Sequence, residues 1–267
     1  MIRLAVRVGR DHAEPVLAEL LELVPAGLEE REVDAGTVEY VLYGAAGELP
    51  ALPDVRAAVG SALVDVSTSE LPDDWSDRWR TFHTPVDVGP LRVRPPWEPA
   101  REGALDVVID PGQAFGTGSH ATTRLTLELL TELEPAGALA DWGCGSGVLA
   151  VCAAKLGWGP VTACDLEVAS VAATQEAARA NGVSMEVTRC DVRRGGPWAP
   201  TVLANLVRPL LLEVAAGLRR APERLILSGV QTAEADEVIA AFARHGLREA
   251  ARAEGDGWVA ARLEAAG

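Results

Sequence analysis

The chain is 267 residues long and 48% hydrophobic, enough apolar material for a full α/β domain and a smaller companion. It never reaches the ~18 consecutive apolar residues of a membrane helix, and its first residues lack the apolar run of a secretory leader, so a cytoplasmic protein is expected. The net charge of −15 argues against nonspecific gripping of nucleic acid and suits a basic protein partner.

Lys155 is the only lysine among 24 basic residues, so a compositional skew accounts for the acidity equally well. Cys144, Cys152, Cys164 and Cys190 form no CxxC pair and no cluster with histidine. No metal site is expected, and the thiols read as small buried hydrophobes.

In chain order, residues 1–67 read as a small α+β unit. Ile2 to Val8 alternates as a strand, and Asp11 to Val24 carries a helical apolar stripe. Residues 30–34 and 37–43 suit a hairpin about Asp34-Ala-Gly36. A helix near 54–59 and a strand at 62–67 complete a βαββαβ order. A linker over 68–84 follows, with a helix at 72–82 that begins at Pro72 and sets Trp75 and Trp79 one turn apart. The proline-rich stretch beyond it fits short strands at 85–88 and 91–94.

From residue 105 strands and helices alternate, with strands expected at 105–109, 138–142, 161–165, 185–190, 201–205 and 224–228. Such alternation implies a parallel sheet covered on both faces. The tail fits an antiparallel hairpin, 247–254 with 258–263, through Gly255-Asp-Gly257.

The chemistry concentrates after residue 110. Asp110-Pro-Gly-Gln-Ala-Phe-Gly-Thr-Gly-Ser-His-Ala-Thr-Thr123 is glycine-rich and suits a loop folding over a ligand, with Phe115, Gly116 and Thr117 at its centre and Thr123 opening a helix. The stretch Ala138 to Cys152 reads as strand, glycine turn and helix, with Gly143, Gly145 and Gly147 in the turn. A dinucleotide site shares this plan, but its G-x-G-x-x-G/A pattern needs a small residue where Val148 stands. Asp141, two residues before the first glycine, would repel a pyrophosphate and favour a cation. S-adenosylmethionine, which carries an ammonium and a sulfonium but no phosphate, fits better.

Asp165 ends the next strand, 22 residues after Gly143, where a carboxylate can accept from ribose hydroxyls or cap the following helix. Asp191 follows the strand after that, placed either to meet an adenine amine or to lie in an exposed turn. The amide of Asn205, at the end of 201–205, can accept from an amine or cap the helix beyond.

Asp110-Pro-Gly-x-Ala-Phe-Gly-Thr-Gly-x-His-x-Thr-Thr123 resembles the signature loop of the ribosomal protein L-eleven methyltransferases. The likeness extends through Trp75 to Trp97, the Gly-Cys-Gly-Ser-Gly loop, Ala204-Asn205-Leu206, Leu227-Ser-Gly-Val230 and Trp258. It departs at Asp165-Leu-Glu-Val168, where the family has Asp-Ile-Asp-Pro, and at Ala121 and Ala177. The resemblance implies a Rossmann-like seven-stranded methyltransferase sheet over 85–267, with 1–67 a ferredoxin-like substrate-recognition domain. It places Thr123, Gly143, Asp165 and Asn205 on cofactor-binding positions for S-adenosylmethionine, joined on the residues' own reading by Phe115, Gly116, Thr117, Asp141, Gly145 and Asp191. Asn205 is also the candidate catalytic residue, orienting the amine. The implied activity is methylation of the N-terminal α-amine and lysine ε-amines of a large-subunit ribosomal protein, with a lysine methyltransferase of another protein as the alternative. No direct nucleic-acid or membrane partner is implied, and a monomer is the working expectation.

Overall fold

A computed structural model of the chain describes residues 2–13, 16–17, 20, 28–34, 36–44, 49–70, 83–111 and 118–266. Its contacts divide the chain into two units, Met1–Phe82 and His83–Gly267. The linker helix expected over 72–82 lies outside the described residues, as does most of the helix expected over 11–24.

In the first unit, strands β1 (Ile2–Gly9), β2 (Glu29–Asp34), β3 (Thr37–Gly44) and β4 (Leu63–Glu70) surround helix α1 (Leu52–Val59) in sequence. They form one antiparallel sheet in the order β2-β3-β1-β4. β3 thus lies between β1 and β2, and β1 between β3 and β4, the interleaving of a ferredoxin-like sheet. The period of two sends Leu4, Val6 and Val8 to the same face as Val38, Tyr40 and Leu42, where they pack with Val55 and Val59 of α1. On the opposite face Glu39 pairs across the strands with Arg3 and Arg7, at 2.5 and 2.9 Å. The β2–β3 turn closes through Asp34, whose Oδ1 accepts from Gly36 N–H at 2.8 Å.

The second unit begins with a small sheet of β5 (Val86–Val88), β6 (Leu91–Arg94) and β7 (Leu105–Val108). Residues 105–109 were expected to start the main strand–helix series, and the structure corrects this. β7 pairs in parallel with β6, Leu91 opposite Leu105, and the Arg94 guanidinium grips both oxygens of Asp106 at 2.7 Å. A hydrophobic pattern carries the strand but not the identity of its sheet.

The main layer then runs α2 (Ala121–Thr131), β8 (Leu139–Trp142), α3 (Val148–Leu156), β9 (Val161–Asp165), α4 (Val168–Ala180), β10 (Glu186–Arg189), β11 (Thr201–Asn205), α5 (Arg208–Gly217), β12 (Arg224–Gln231), α6 (Ala235–Ala243), β13 (Leu247–Gly255) and β14 (Trp258–Ala265). Seven strands form the sheet β10-β9-β8-β11-β12-β14-β13. Pairings from β10 to β12 are parallel, and β14 is antiparallel to both neighbours. Alternate residues feed two cores. Leu203, Ile226 and Ala260 face α2, α3 and the small sheet, while Val202, Ala204, Leu225 and Leu227 face α5 and α6. Burial on both faces explains why these strands read as continuous apolar runs.

Asn181, at the end of α4, ties that helix to β7. Its Nδ2 donates to the carbonyls of Val108 and Ala177 at 2.7 and 2.8 Å, and its Oδ1 accepts from Val108 N–H at 2.8 Å. Replacing Asn181 by Ala leaves the half-buried amide and carbonyl of Val108 without their side-chain partner, and should lower the unfolding free energy by about 1–2 kcal/mol. Urea denaturation measures this; a loss below about 0.5 kcal/mol would mean that water satisfies those groups.

Candidate active site

The order of the main sheet reverses between β8 and β11: chain order runs outward through β9 and β10 on one side and through β12 on the other. At such a switch point the loops leaving the strand ends turn apart and leave a crevice at the carboxyl ends. A cavity of about 540 Å³ lies there, within the range of small-molecule sites.

Six of the expected residues line it, from five places in the chain: Thr123 on α2, Gly143 and Gly145 after β8, Asp165 at the end of β9, Asp191 after β10 and Asn205 at the end of β11. Phe115, Gly116 and Thr117 fall outside the described residues. Among the described residues no cluster of His, Cys, Asp and Glu is placed to hold a metal ion.

The turn after β8 needs its glycines for two reasons. Gly143, Gly145 and Gly147 have φ of 75°, 52° and 81°, where a side chain is strained. A β-carbon on Gly143 would also lie 2.2 Å from Leu206 Cδ2, and one on Gly147 2.9 Å from Thr174 Cα. Packing against α4 and the β11 loop sets the turn as firmly as any ligand would.

Asp165 is tied to the backbone through both of its carboxylate oxygens. Its Oδ2 accepts from Gly145 N–H at 2.9 Å and its Oδ1 from Glu167 N–H at 3.0 Å, so it fastens the glycine turn and shapes the start of α4. Each oxygen keeps a second lone pair, and the residue lines the cavity.

Asp141 stands apart from the residues that line the cavity. It is 1% exposed and sits behind the turn, where Oδ2 accepts from Ala150 N–H at 3.1 Å. Its Oδ1 is buried with no hydrogen-bond partner. Burial pushes its pKa up to about 7; the Ala150 N–H opposes the rise and the charge of Asp165 adds to it.

Asp191 is held by Arg193, whose backbone N–H and Nε reach Oδ1 at 3.1 and 2.8 Å while a terminal nitrogen reaches Oδ2 at 3.0 Å. The Arg193 bonds keep Asp191 ionised, below the ordinary aspartate range. Arg193 itself lines the cavity and was not picked out from the sequence. The only available signal was its position two residues past a strand-end acid. Exposed Leu166 and Val207 on the cavity wall were also missed.

At the other end, Asn205 Nδ2 donates to Thr122 Oγ1 at 3.2 Å. The Thr123 hydroxyl is buried and has no hydrogen-bond partner, and the residue lines the cavity. A buried hydroxyl without a bond is costly unless a ligand supplies one. With Asp165 also on the wall, and with the wall's arginine, Arg193, already paired to Asp191, this donor set suits a ligand with hydroxyls and positive charge better than a pyrophosphate.

A profile of the family described as ribosomal protein L11 methyltransferase (PrmA) matches residues 52–265. A protein named ribosomal protein L11 methyltransferase from Burkholderia ambifaria (strain MC40-6) is 34% identical over 286 residues, covering 96% of this chain and 95% of its own. One from Myxococcus xanthus (strain DK1622) is 32% identical over 282 residues, covering 98% of each. The crystal structure of ribosomal protein L11 methylase from Lactobacillus delbrueckii subsp. bulgaricus shares the fold, with a TM-score of 0.62 at 23% identity over 68% of this chain and 99% of that one.

The raised pKa of Asp141 has a signed consequence for stability. Between the unfolded value of 3.8 and the folded value of about 7, the folded chain keeps a proton that the unfolded chain has released. The neutral carboxyl therefore favours the fold fully at low pH, and that contribution is lost as pH rises through about 7, at up to about 1.4 kcal/mol per pH unit. Denaturant unfolding of Asp141→Asn and the unsubstituted protein from about pH 4 to 8 should show the variant gaining relative stability with pH. A constant difference would place an ionised carboxylate there instead.

Proposed function

The chain belongs to the ribosomal protein L11 methyltransferase family, and on that premise we propose that it moves methyl groups from S-adenosylmethionine to amines of ribosomal protein L11 in the cytoplasm. The observation that carries the site assignment is the buried, unpartnered Thr123 hydroxyl beside Asn205, in a cavity closed at its other end by Asp165. Asp165 would take the ribose hydroxyls, the glycine turn the middle of the cofactor, and Thr123 and Asn205 its amino-acid end. Asp191, already paired with Arg193, lies on the remaining wall, where an adenine amine would find an ionised acceptor.

S-adenosylmethionine supplies an electrophilic methyl group on sulfur together with its own leaving group. What remains for the protein is to place a neutral amine in line and keep water out. The Asn205 carbonyl can accept one N–H of that amine, which orients its lone pair without removing a proton. Burial holds the Cys144 thiol protonated, and Asp191 is committed to Arg193, so neither serves as a base. The amine must then arrive deprotonated: about one in ten α-amines but only about one in 2,500 lysine amines at pH 7. Residues 1–67 fit a substrate grip, since the cofactor candidates all lie beyond residue 110.

Three measurements test this. Mass spectrometry of purified L11, incubated with the protein and S-adenosylmethionine, should show mass gains in methyl steps; an unmodified L11 would overturn the substrate. Asp165→Asn keeps an acceptor for Gly145 N–H but loses charge-assisted bonding, so calorimetry should find S-adenosylmethionine bound about tenfold more weakly. Asn205→Ala should lower turnover more than it weakens cofactor binding. Unchanged turnover at saturating donor would reduce Asn205 to part of the wall.

A further inference from the structure

We infer that His120 is a positioning residue which, through the Thr122 hydroxyl, fixes the Asn205 amide with its carbonyl oxygen toward the cavity. The inference rests on the methyl-transfer reading above, which supplies the amine that this oxygen would meet.

The argument is one of proton count. A threonine hydroxyl has one proton to give and two lone pairs to offer. Thr122 Oγ1 lies 2.8 Å from His120 Nδ1 and 3.2 Å from Asn205 Nδ2, and Thr122 is 1% exposed, so bulk water does not enter the account. His120 is also the N-cap of α2, and its Nδ1 accepts from Thr122 N–H at 3.3 Å. A ring nitrogen that accepts is unprotonated, so the hydroxyl sends its proton to the same atom. Oγ1 is left with lone pairs alone. Asn205 must then present its NH2 group to Thr122, and its carbonyl is turned the other way. The opposite amide orientation would set two oxygens lone pair to lone pair in a buried place.

The surroundings hold His120 in the neutral form that this requires. The ring meets Trp258 of β14 edge to face, with centroids 5.1 Å apart and planes at 66°. Burial lowers its pKa, and the Arg124 guanidinium one turn along α2 lowers it further. Arg124 is itself paired with Asp256 in the β13–β14 turn at 2.6 Å. A helix cap alone would need only the backbone contact of His120. The short contact to a buried hydroxyl, which in turn holds a cavity-wall amide, extends its influence to the site.

The test separates capping from relay in the full-length protein. Thr122→Val keeps the shape and the backbone N–H that His120 caps but removes the hydroxyl, whereas Thr122→Ser keeps the hydroxyl. Methyl transfer to L11 at saturating S-adenosylmethionine should fall about tenfold in Thr122→Val and return to within about twofold in Thr122→Ser. The Kd for S-adenosylhomocysteine should stay within about threefold throughout. His120→Ala should cost a similar factor alone and little more on top of Thr122→Val, because both cut one chain of bonds. In the ligand-free protein, the Asn205 side-chain amide protons should be protected from exchange and lose that protection in Thr122→Val. Wild-type turnover in Thr122→Val, or costs that simply multiply in the double variant, would overturn the relay. Should Thr122→Val not fold, His120→Ser keeps an N-cap but not the reach to Thr122 Oγ1, and the same turnover loss is expected; full activity there overturns the proposal. If the unsubstituted protein methylates no L11, the functional reading fails separately, and the amide protection still decides the relay, its absence in the unsubstituted protein counting against it.

Discussion

Parallel strands buried on both faces leave a ligand only one place to approach them, the loops at their carboxyl ends. Here that constraint acts at the reversal between β8 and β11, where neighbouring loops turn apart. The cavity exists because of this geometry, and five separate segments reach it only because each follows a strand or caps a helix beside that gap. The Asn181 bonds to Val108 hold the end of β7 to α4, and α2 brings Thr122 to the Asn205 amide. Loss of the reversal would scatter every candidate residue, however well each were chosen.

Two aspartates near the glycine turn show how position decides chemistry for the same side chain. Asp165 is half-buried, accepts two backbone N–H bonds and lies open to the cavity. Asp141 is fully buried with one N–H partner and a bare oxygen, and its pKa is raised to about 7. A carboxylate with two donors and solvent access remains an acceptor for a ligand. One with a single donor in an apolar setting is held near neutrality and braces the start of α3. The two charges also oppose one another, so the ionisation of Asp165 helps to keep Asp141 protonated.

Much of this was legible in the residues because the signals were local. Period-two alternation marked β1; turn residues at 34–36 and 255–257 marked the two hairpins; glycines at 143, 145 and 147 marked the cavity turn; strand-end acids marked the walls. What escaped was non-local. Nothing in the spacing of residues 105–109 says that they pair with Leu91–Arg94 rather than with the main sheet. The fastening of Asp165 to Gly145 crosses 20 residues, and that of Asn205 to Thr122 crosses 83. The bond from Ala150 N–H to Asp141, nine residues apart, was likewise not legible. Arg193 carries no pattern of its own and gains its place only through Asp191.

The wall that would meet the amine has a bearing on specificity. If the acceptor for the amine is one amide oxygen, it recognises an N–H and little else, so it treats an α-amine and a lysine ε-amine alike once either is neutral. Such a site discriminates poorly by chemistry at the reacting atom, because one hydrogen bond distinguishes N–H from none but not one amine from another. Choice among amines then has to come from surfaces that hold the substrate protein at a distance from the methyl group. On the proposed reading, exposed Leu166 and Val207 on the cavity wall would be part of such a surface. A chain of net charge −15 adds long-range attraction for a basic protein, which raises encounter rates without selecting an atom. Selection by presentation, with a permissive acceptor at the centre, would let one cavity serve more than one amine.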